Sequence, residues 1–392
     1  MGLQGKGRLL GFALGALLAV GAIGGCAFGS LSKDEIEVGA NFEMSGNFAN
    51  YGTSGFDGFK FAIKQANDAG GIRGKKIHVI GIDDRSNADD TIAVTKKLIS
   101  DYHVKVLVGP MTSNLVLAES KVATQEKIPV LAPAATSHSV TQNNDGSVKP
   151  YIFRSCFTNA QEADSLARFA LRDLHAKTAS IIVESGSEYA TDLAQTFKHQ
   201  FEAGGGEILA QETFMPDAKD FSTMLSKIKA ANANVIFLPA YYTQVGKIVK
   251  QARAMGINVA MLGPGSWDEE AVVDIAGADV LNNTYFCTHY DETDPNAQGF
   301  INAFSAEYGH APNVFTALGY DAGQVLVDAL KRANSDDPEK IRQALEETKN
   351  LQLSTGTITI DEHHNSIKSA VIMAMKNGVK ELRAKIAPQK EE

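Results

Sequence analysis

Short aliphatic runs alternate with amphipathic helical stretches along most of this sequence, and the series runs twice. In the first series residues 36–40, 76–80, 104–108 and 129–131 read as strands. Apolar residues at helical spacing occupy 55–68, 88–101 and 115–126 between them. The second series has strands at 180–183, 207–210, 235–238 and 259–262, and helices at 163–174, 192–203, 221–230 and 247–255. Strands that are aliphatic almost throughout, rather than alternating with polar residues, belong in parallel sheets covered by helices on both faces. The expected fold class is therefore α/β, with two doubly wound parallel-sheet (Rossmann-like) lobes. Residues 75–110 and 207–240 pass through the same order of elements, a weak internal repeat. Open parallel sheets bind ligands beyond the carboxyl ends of their strands, so a cleft between two lobes collects both sets of loops. The tail differs: helices at 297–308, 312–332 and 338–348, then strands at 356–360 and 369–375 joined by a polar turn. Such a finish predicts that the chain crosses between lobes more than once.

Composition narrows the function. Acids outnumber bases, 46 to 37, for a net charge of −9, and no Lys/Arg stripe occurs. Nucleic-acid binding depends on phosphate neutralisation, so that class is excluded. The first 25 residues hold no acid, with Lys6 and Arg8 ahead of an apolar run from Leu9 to Ile23. That run is shorter than the roughly 20 residues that span a bilayer and reads as the core of an export signal. Ile23-Gly24-Gly25-Cys26 follows and resembles the lipobox of bacterial lipoproteins, in which the cysteine is lipidated and becomes the new N-terminus. Residues 1–25 are thus expected to be a signal peptide and 26–34 a tether. Acyl chains on Cys26 would anchor the body to the outer face of a bacterial cell membrane, periplasmic or cell-surface.

Several short motifs occur in order along the body: Glu43-Met44-Ser45-Gly46 with Tyr51-Gly52, residues 67–74, Asp83-Asp84, and Gly109-Pro110-Met111-Thr112-Ser113. They continue with Pro133-Ala134-Ala135-Thr136, Phe153-Arg154, Lys219-Asp220-Phe221-Ser222, Gln251-Ala252-Arg253 and Gly319-Tyr320-Asp321-Ala322. In this order and spacing the chain resembles the branched-chain amino-acid-binding proteins, the type I periplasmic solute-binding proteins of ABC transporters. The resemblance implies two interleaved lobes, 35–152 with 291–355 and 153–290 with 356–392, joined by a three-segment hinge. It implies a monomeric receptor that closes on a small amino acid, branched-chain or related, and hands it to permease and ATPase subunits. No cofactor or metal is implied.

Candidate ligand-binding residues follow. Ser113 lies between a strand and a helix start, where it either caps the helix or aims its hydroxyl at the cleft beside the helix dipole. The resemblance gives Ala134 a backbone role and Thr136 a hydroxyl role toward an α-amino acid. Tyr51, Tyr189 and Tyr241 match aromatic positions expected beyond strand ends, and Phe315 matches a position lining the side-chain pocket. The sequence departs from the family at Gly265, where relatives carry an acid that pairs with the ligand ammonium. A buried unpaired ammonium is costly. Either Asp268 or Glu188 replaces that acid, or the ligand lacks an α-ammonium and is an amide, a urea-like compound or a small organic or aromatic acid. Trp267 either walls the ligand or packs under its loop. Cys156 and Cys287 fall in two proposed hinge strands, where a disulfide is geometrically possible. A secreted hydrolase is the rival in kind, but no GxSxG, P-loop, HExxH or CxxC motif occurs, so no enzyme is expected.

Overall fold

The computed structural model describes residues 35–387. The leader, Cys26 and the whole tether lie outside the described residues. The chain opens with strands β1 (Glu35–Phe42), β2 (Lys76–Asp83), β3 (Val106–Val108), β4 (Val130–Ala132) and β5 (Ile152–Arg154). They form a parallel sheet in the order β2-β1-β3-β4-β5. Helices α1 (Ala49–Asp68), α2 (Ala88–Ser100) and α3 (Ser113–Glu126) connect them. Both faces of this sheet are covered, as its aliphatic strands require. Ile36, Val38 and Phe42 pack with Phe59 and Ile63 of α1, and Leu107 and Val130 pack with Leu98 and Val116 on the other side.

The second series is α4 (Asn159–Arg172), β6 (Thr178–Glu184), α5 (Glu188–Ala203), β7 (Glu207–Phe214), α6 (Ser222–Ala231), β8 (Val235–Phe237), α7 (Tyr242–Ala254), β9 (Ala260–Gly263), α8 (Glu270–Ala276) and β10 (Thr284–Thr288). Its parallel strands run β7-β6-β8-β9-β10. The two sheets therefore share one winding order, and the weak sequence repeat is a real repeat of topology. In each, the order reverses beside the first strand of the series, between β1 and β3 and between β6 and β8. Ligands sit at such reversals.

The tail returns. Helices α9 (Gln298–Tyr308), α10 (Val314–Ala333) and α11 (Pro338–Glu346) precede a small sheet of β11 (Leu351–Leu353), β12 (Gly356–Ile360) and β13 (Ser366–Ile367). α10 lies directly on α1, and glycine makes this possible. A Cβ on Gly58 would come within 1.9 Å of the Thr316 carbonyl oxygen, and one on Gly319 within 1.9 Å of the Gly55 carbonyl oxygen. The final strands, β14 (Ala370–Lys376) and β15 (Val379–Ile386), add antiparallel to β10 in the second sheet. The chain thus passes between the sheets after β5, after β10 and before β14.

Two expectations change. The segment after the polar turn does not simply pair with 356–360: two residues, β13, do so, and the chain then crosses to the other sheet as β14. Cys156 and Cys287 are both buried free thiols rather than a disulfide. The Cys156 thiol is turned toward the Ala135 carbonyl, 3.4 Å away. Among the described residues no helix is long and apolar enough to cross a membrane.

Candidate functional site

The loops at the two reversals face each other and enclose a tight cavity of about 30 Å³. From the first sheet come Tyr51 after β1, Ser113 after β3, and Ala134 and Thr136 after β4. From the second come Tyr189 after β6, Tyr241 after β8, and Gly265 and Ser266 after β9. Phe315 enters from the first turn of α10. Seven of the nine residues singled out from the sequence thus line one cavity.

Each loop is held by a buried polar anchor. The Glu43 carboxylate accepts the backbone N–H groups of Met111 and Thr112 at 2.9 Å each and the Thr112 hydroxyl at 2.8 Å. That carboxyl straddles the entrance to α3 and fixes where Ser113 sits. Burial nevertheless raises its pKa against these favourable hydrogen bonds. Ser113 is not the cap of α3: it is the first helical residue, and its hydroxyl oxygen accepts the Ser137 N–H at 3.2 Å. Its own proton remains available for donation into the cavity. The Ala134–Ser137 loop is held from behind by Arg154, which is fully buried. Its guanidinium donates to the carbonyls of Ala135 and Ser137 and to the Thr141 hydroxyl at 2.7–3.1 Å.

Tyr51 belongs to the first turn of α1 rather than to a loop, because that helix begins at Ala49. Its hydroxyl donates to the Ser266 carbonyl oxygen at 2.6 Å and accepts the Tyr242 N–H at 3.1 Å. These bonds join the first sheet's loops to the second's, so the lobes are in contact across the cleft. Asn50 adds a bond to the Glu269 carboxylate at 3.2 Å. The rings form a nearly continuous wall: Tyr189 stacks on Tyr241 at 5.1 Å between centroids, and Tyr51 meets Phe315 at 4.2 Å. Burial pushes the Tyr51, Tyr189 and Tyr241 phenols well above their usual range, so all three are neutral donors.

Trp267 and Asp268 do not line the cavity. Trp267 is tucked beneath the loop, its indole N–H donating to the Leu238 carbonyl at 3.1 Å, in the space left by the absent side chain of Gly263. Asp268 points the other way, 3.0 Å from the Lys380 ammonium on β15, and accepts the Thr288 hydroxyl at 2.7 Å. A carboxylate already paired in this way is not free to meet a ligand. Glu188, the other acid considered, is exposed at the start of α5 and lies outside the cavity.

The acid that does line the cavity is Glu162, in the first turn of α4. It is 1% exposed, and it accepts the Gly265 N–H at 2.7 Å. Burial pushes its pKa up to about 8. An acid at a helix start ordinarily reads as a solvated partner of the dipole. The available signal was its spacing, since Glu162, Leu166 and Ala170 fall on one stripe and that stripe is buried. His289 closes the floor, stacked on Phe157 with centroids 3.5 Å apart, and burial holds it neutral.

Comparison with known proteins agrees with this architecture. Residues 35–380 match the family described as periplasmic binding protein. The leucine-, isoleucine-, valine-, threonine- and alanine-binding protein of Pseudomonas aeruginosa is 26% identical over 349 residues, 89% of this chain and 92% of that one. The crystal structure of LivJ, a branched-chain amino acid transporter substrate binding protein from Streptococcus pneumoniae, in complex with isoleucine, is 32% identical. It has a TM-score of 0.83 and covers 91% of this chain and 100% of that one. A solute binding protein of an ABC transporter from Rhodopseudomonas palustris, in complex with 3,4-dihydroxybenzoic acid, is 26% identical with a TM-score of 0.81, covering 91% and 99%. With its two like-wound lobes and the cavity between them, the chain belongs to the type I periplasmic binding proteins, in the branched-chain amino-acid-binding family of ABC transporters.

Proposed function

We propose that this chain is the exported, lipid-anchored receptor of an ABC importer and that it captures a small α-amino acid with an apolar side chain. The observation that carries this reading is the polarity of the cavity. One side offers the start of α3, the Ser113 hydroxyl and the Thr136 loop, a setting suited to a carboxylate. The other sides are aromatic, suited to an apolar side chain. The interleaved lobes, 35–152 with 291–355 and 153–290 with 356–392, would swing about the three crossings to admit and trap the ligand. Cys26 would carry the acyl chains, and two permease and two ATPase subunits would receive the ligand.

The test is a thermal-shift screen of the mature domain against the α-amino acids. A ligand at 100 times its Kd adds about 2.7 kcal/mol of stability. Ser113→Ala and Thr136→Ala should each weaken its binding. If no amino acid raises the melting point, the amino-acid reading falls. If both variants bind as the wild type does, the site lies elsewhere.

A second reading has its own support: a small aromatic acid, stacked against the tyrosines, for which the relative bound to 3,4-dihydroxybenzoic acid is a precedent. The same screen, extended to benzoates, separates the two.

A further inference from the structure

We infer that Glu162 is the countercharge for a primary ammonium on the ligand, taking over from the neighbouring helix α4 the task that Gly265 cannot perform. The inference rests on the amino-acid reading above and adds the residue that makes it electrostatically possible.

The geometry is specific. Glu162 is a carboxylic acid buried at the cavity wall with one hydrogen bond from the chain, the Gly265 N–H at 2.7 Å. The two positions adjoin: a Cβ at 265 would be in ordinary contact with Glu162 Oε1, 3.5 Å away, and tight against the Cys287 carbonyl oxygen at 3.1 Å. The missing side chain at 265 and the buried acid at 162 are therefore two halves of one arrangement. The Gly265 N–H orients the acid. Asp268 cannot compete, because Lys380 holds it outside the cavity.

The surroundings keep Glu162 the single ionisable acid on the cavity wall among the described residues. The groups facing it are the Cys156 and Cys287 thiols, the Tyr189 phenol and the His289 ring, and burial keeps each of them neutral. Lys368 lies beyond Cys156 and His289 and is engaged with Thr355 and Asp321. Without a ligand, burial holds Glu162 protonated up to about pH 8. An ammonium favours the ionised form, so its arrival should drive off the proton.

Calorimetry on the full mature domain tests this with L-leucine, 3-methylbutylamine and 4-methylpentanoate as probes. These offer both charges, the ammonium alone and the carboxylate alone. With wild type, leucine affinity should fall as pH drops below 8, by up to about tenfold per unit, with close to one proton released on binding. Glu162→Gln should weaken leucine and the amine roughly 30-fold or more and leave 4-methylpentanoate bound as well or better. Circular dichroism checks that this variant folds, and the wild-type proton release stands even if it does not.

The failures are distinguishable. Leucine binding that is pH-independent and unchanged in Glu162→Gln overturns the role of Glu162 and leaves the amino-acid reading standing. Binding of the amine but not leucine, lost in Glu162→Gln, overturns the amino-acid reading and supports Glu162. Binding of 4-methylpentanoate alone overturns both.

Discussion

Most of the motif residues touch no ligand space, and several of them hold the loops that do. Asp83 accepts the N–H groups of Met44 and Ser45 and the Ser45 hydroxyl, which fixes the chain leaving β1. Asp321 accepts hydrogen bonds from Ser354 and Thr355 in the turn between β11 and β12. Arg154 is the strongest case, since three buried oxygens depend on it. Arg154→Met should keep the volume and strand those acceptors, costing about 3 kcal/mol. Urea denaturation would show a lower midpoint at unchanged slope; an unaltered midpoint would mean that water replaces the guanidinium. The aromatic and hydroxyl positions of the cavity were legible through the family resemblance and, for all but Phe315 on α10, through their place after a strand. Glu162 was not, because its place on the apolar stripe of α4 hints at burial but does not reveal the loop, 103 residues away in sequence, that it meets. Asp268 misled for the same reason: its partner Lys380 lies on β15, whose exposed Val379 and Leu382 and scattered charges carry no strand periodicity.

At the scale of elements, the contact between α1 and α10 decides how the tail returns to the first sheet. Gly55 and Gly58 on one helix meet Thr316 and Gly319 on the other with backbone against backbone. The motif Gly319-Tyr320-Asp321-Ala322 is thus first a packing motif, since Gly319 admits the neighbouring helix and Asp321 grips the turn between β11 and β12. Gly319→Ala should force the helices apart and cost about 3 kcal/mol, although alanine is the better helix former. A melting temperature equal to or above that of wild type would contradict this. The alternation of strands and helices was readable because buried parallel strands are aliphatic throughout. The last crossing was not, because a two-residue strand such as β13 leaves no pattern to read.

Across the whole molecule, several acids share one condition. Burial raises Glu162 and Asp84 to about 8, and Glu184 and Glu269 to about 7. In the unfolded chain such groups titrate near 4. Between about pH 4 and 8 the folded state therefore holds protons that the unfolded state has lost. The stability these groups contribute is complete below pH 4 and disappears as pH rises through 7 to 8. Asp83, Asp291 and Asp294 shift the other way and lose their contribution in stronger acid. The ligand-free melting temperature should therefore peak in mild acid and fall from pH 6 to pH 9, and a flat profile over that range would refute the assignment. Ligand should offset the fall at the alkaline end, where Glu162 is ionised.

The antiparallel pair β14 and β15 has a consequence for how this protein meets copies of itself. A sheet that ended at β10 would present a row of unpaired main-chain groups along a flat, buried-type strand. Here the margin is β15 instead, with Lys380, Glu381, Arg383 and Lys385 along it. Charged side chains along an edge strand disfavour the docking of a second strand, because docking takes them out of water. Molecules crowded side by side can therefore stay separate, without one chain's sheet recruiting its neighbour's.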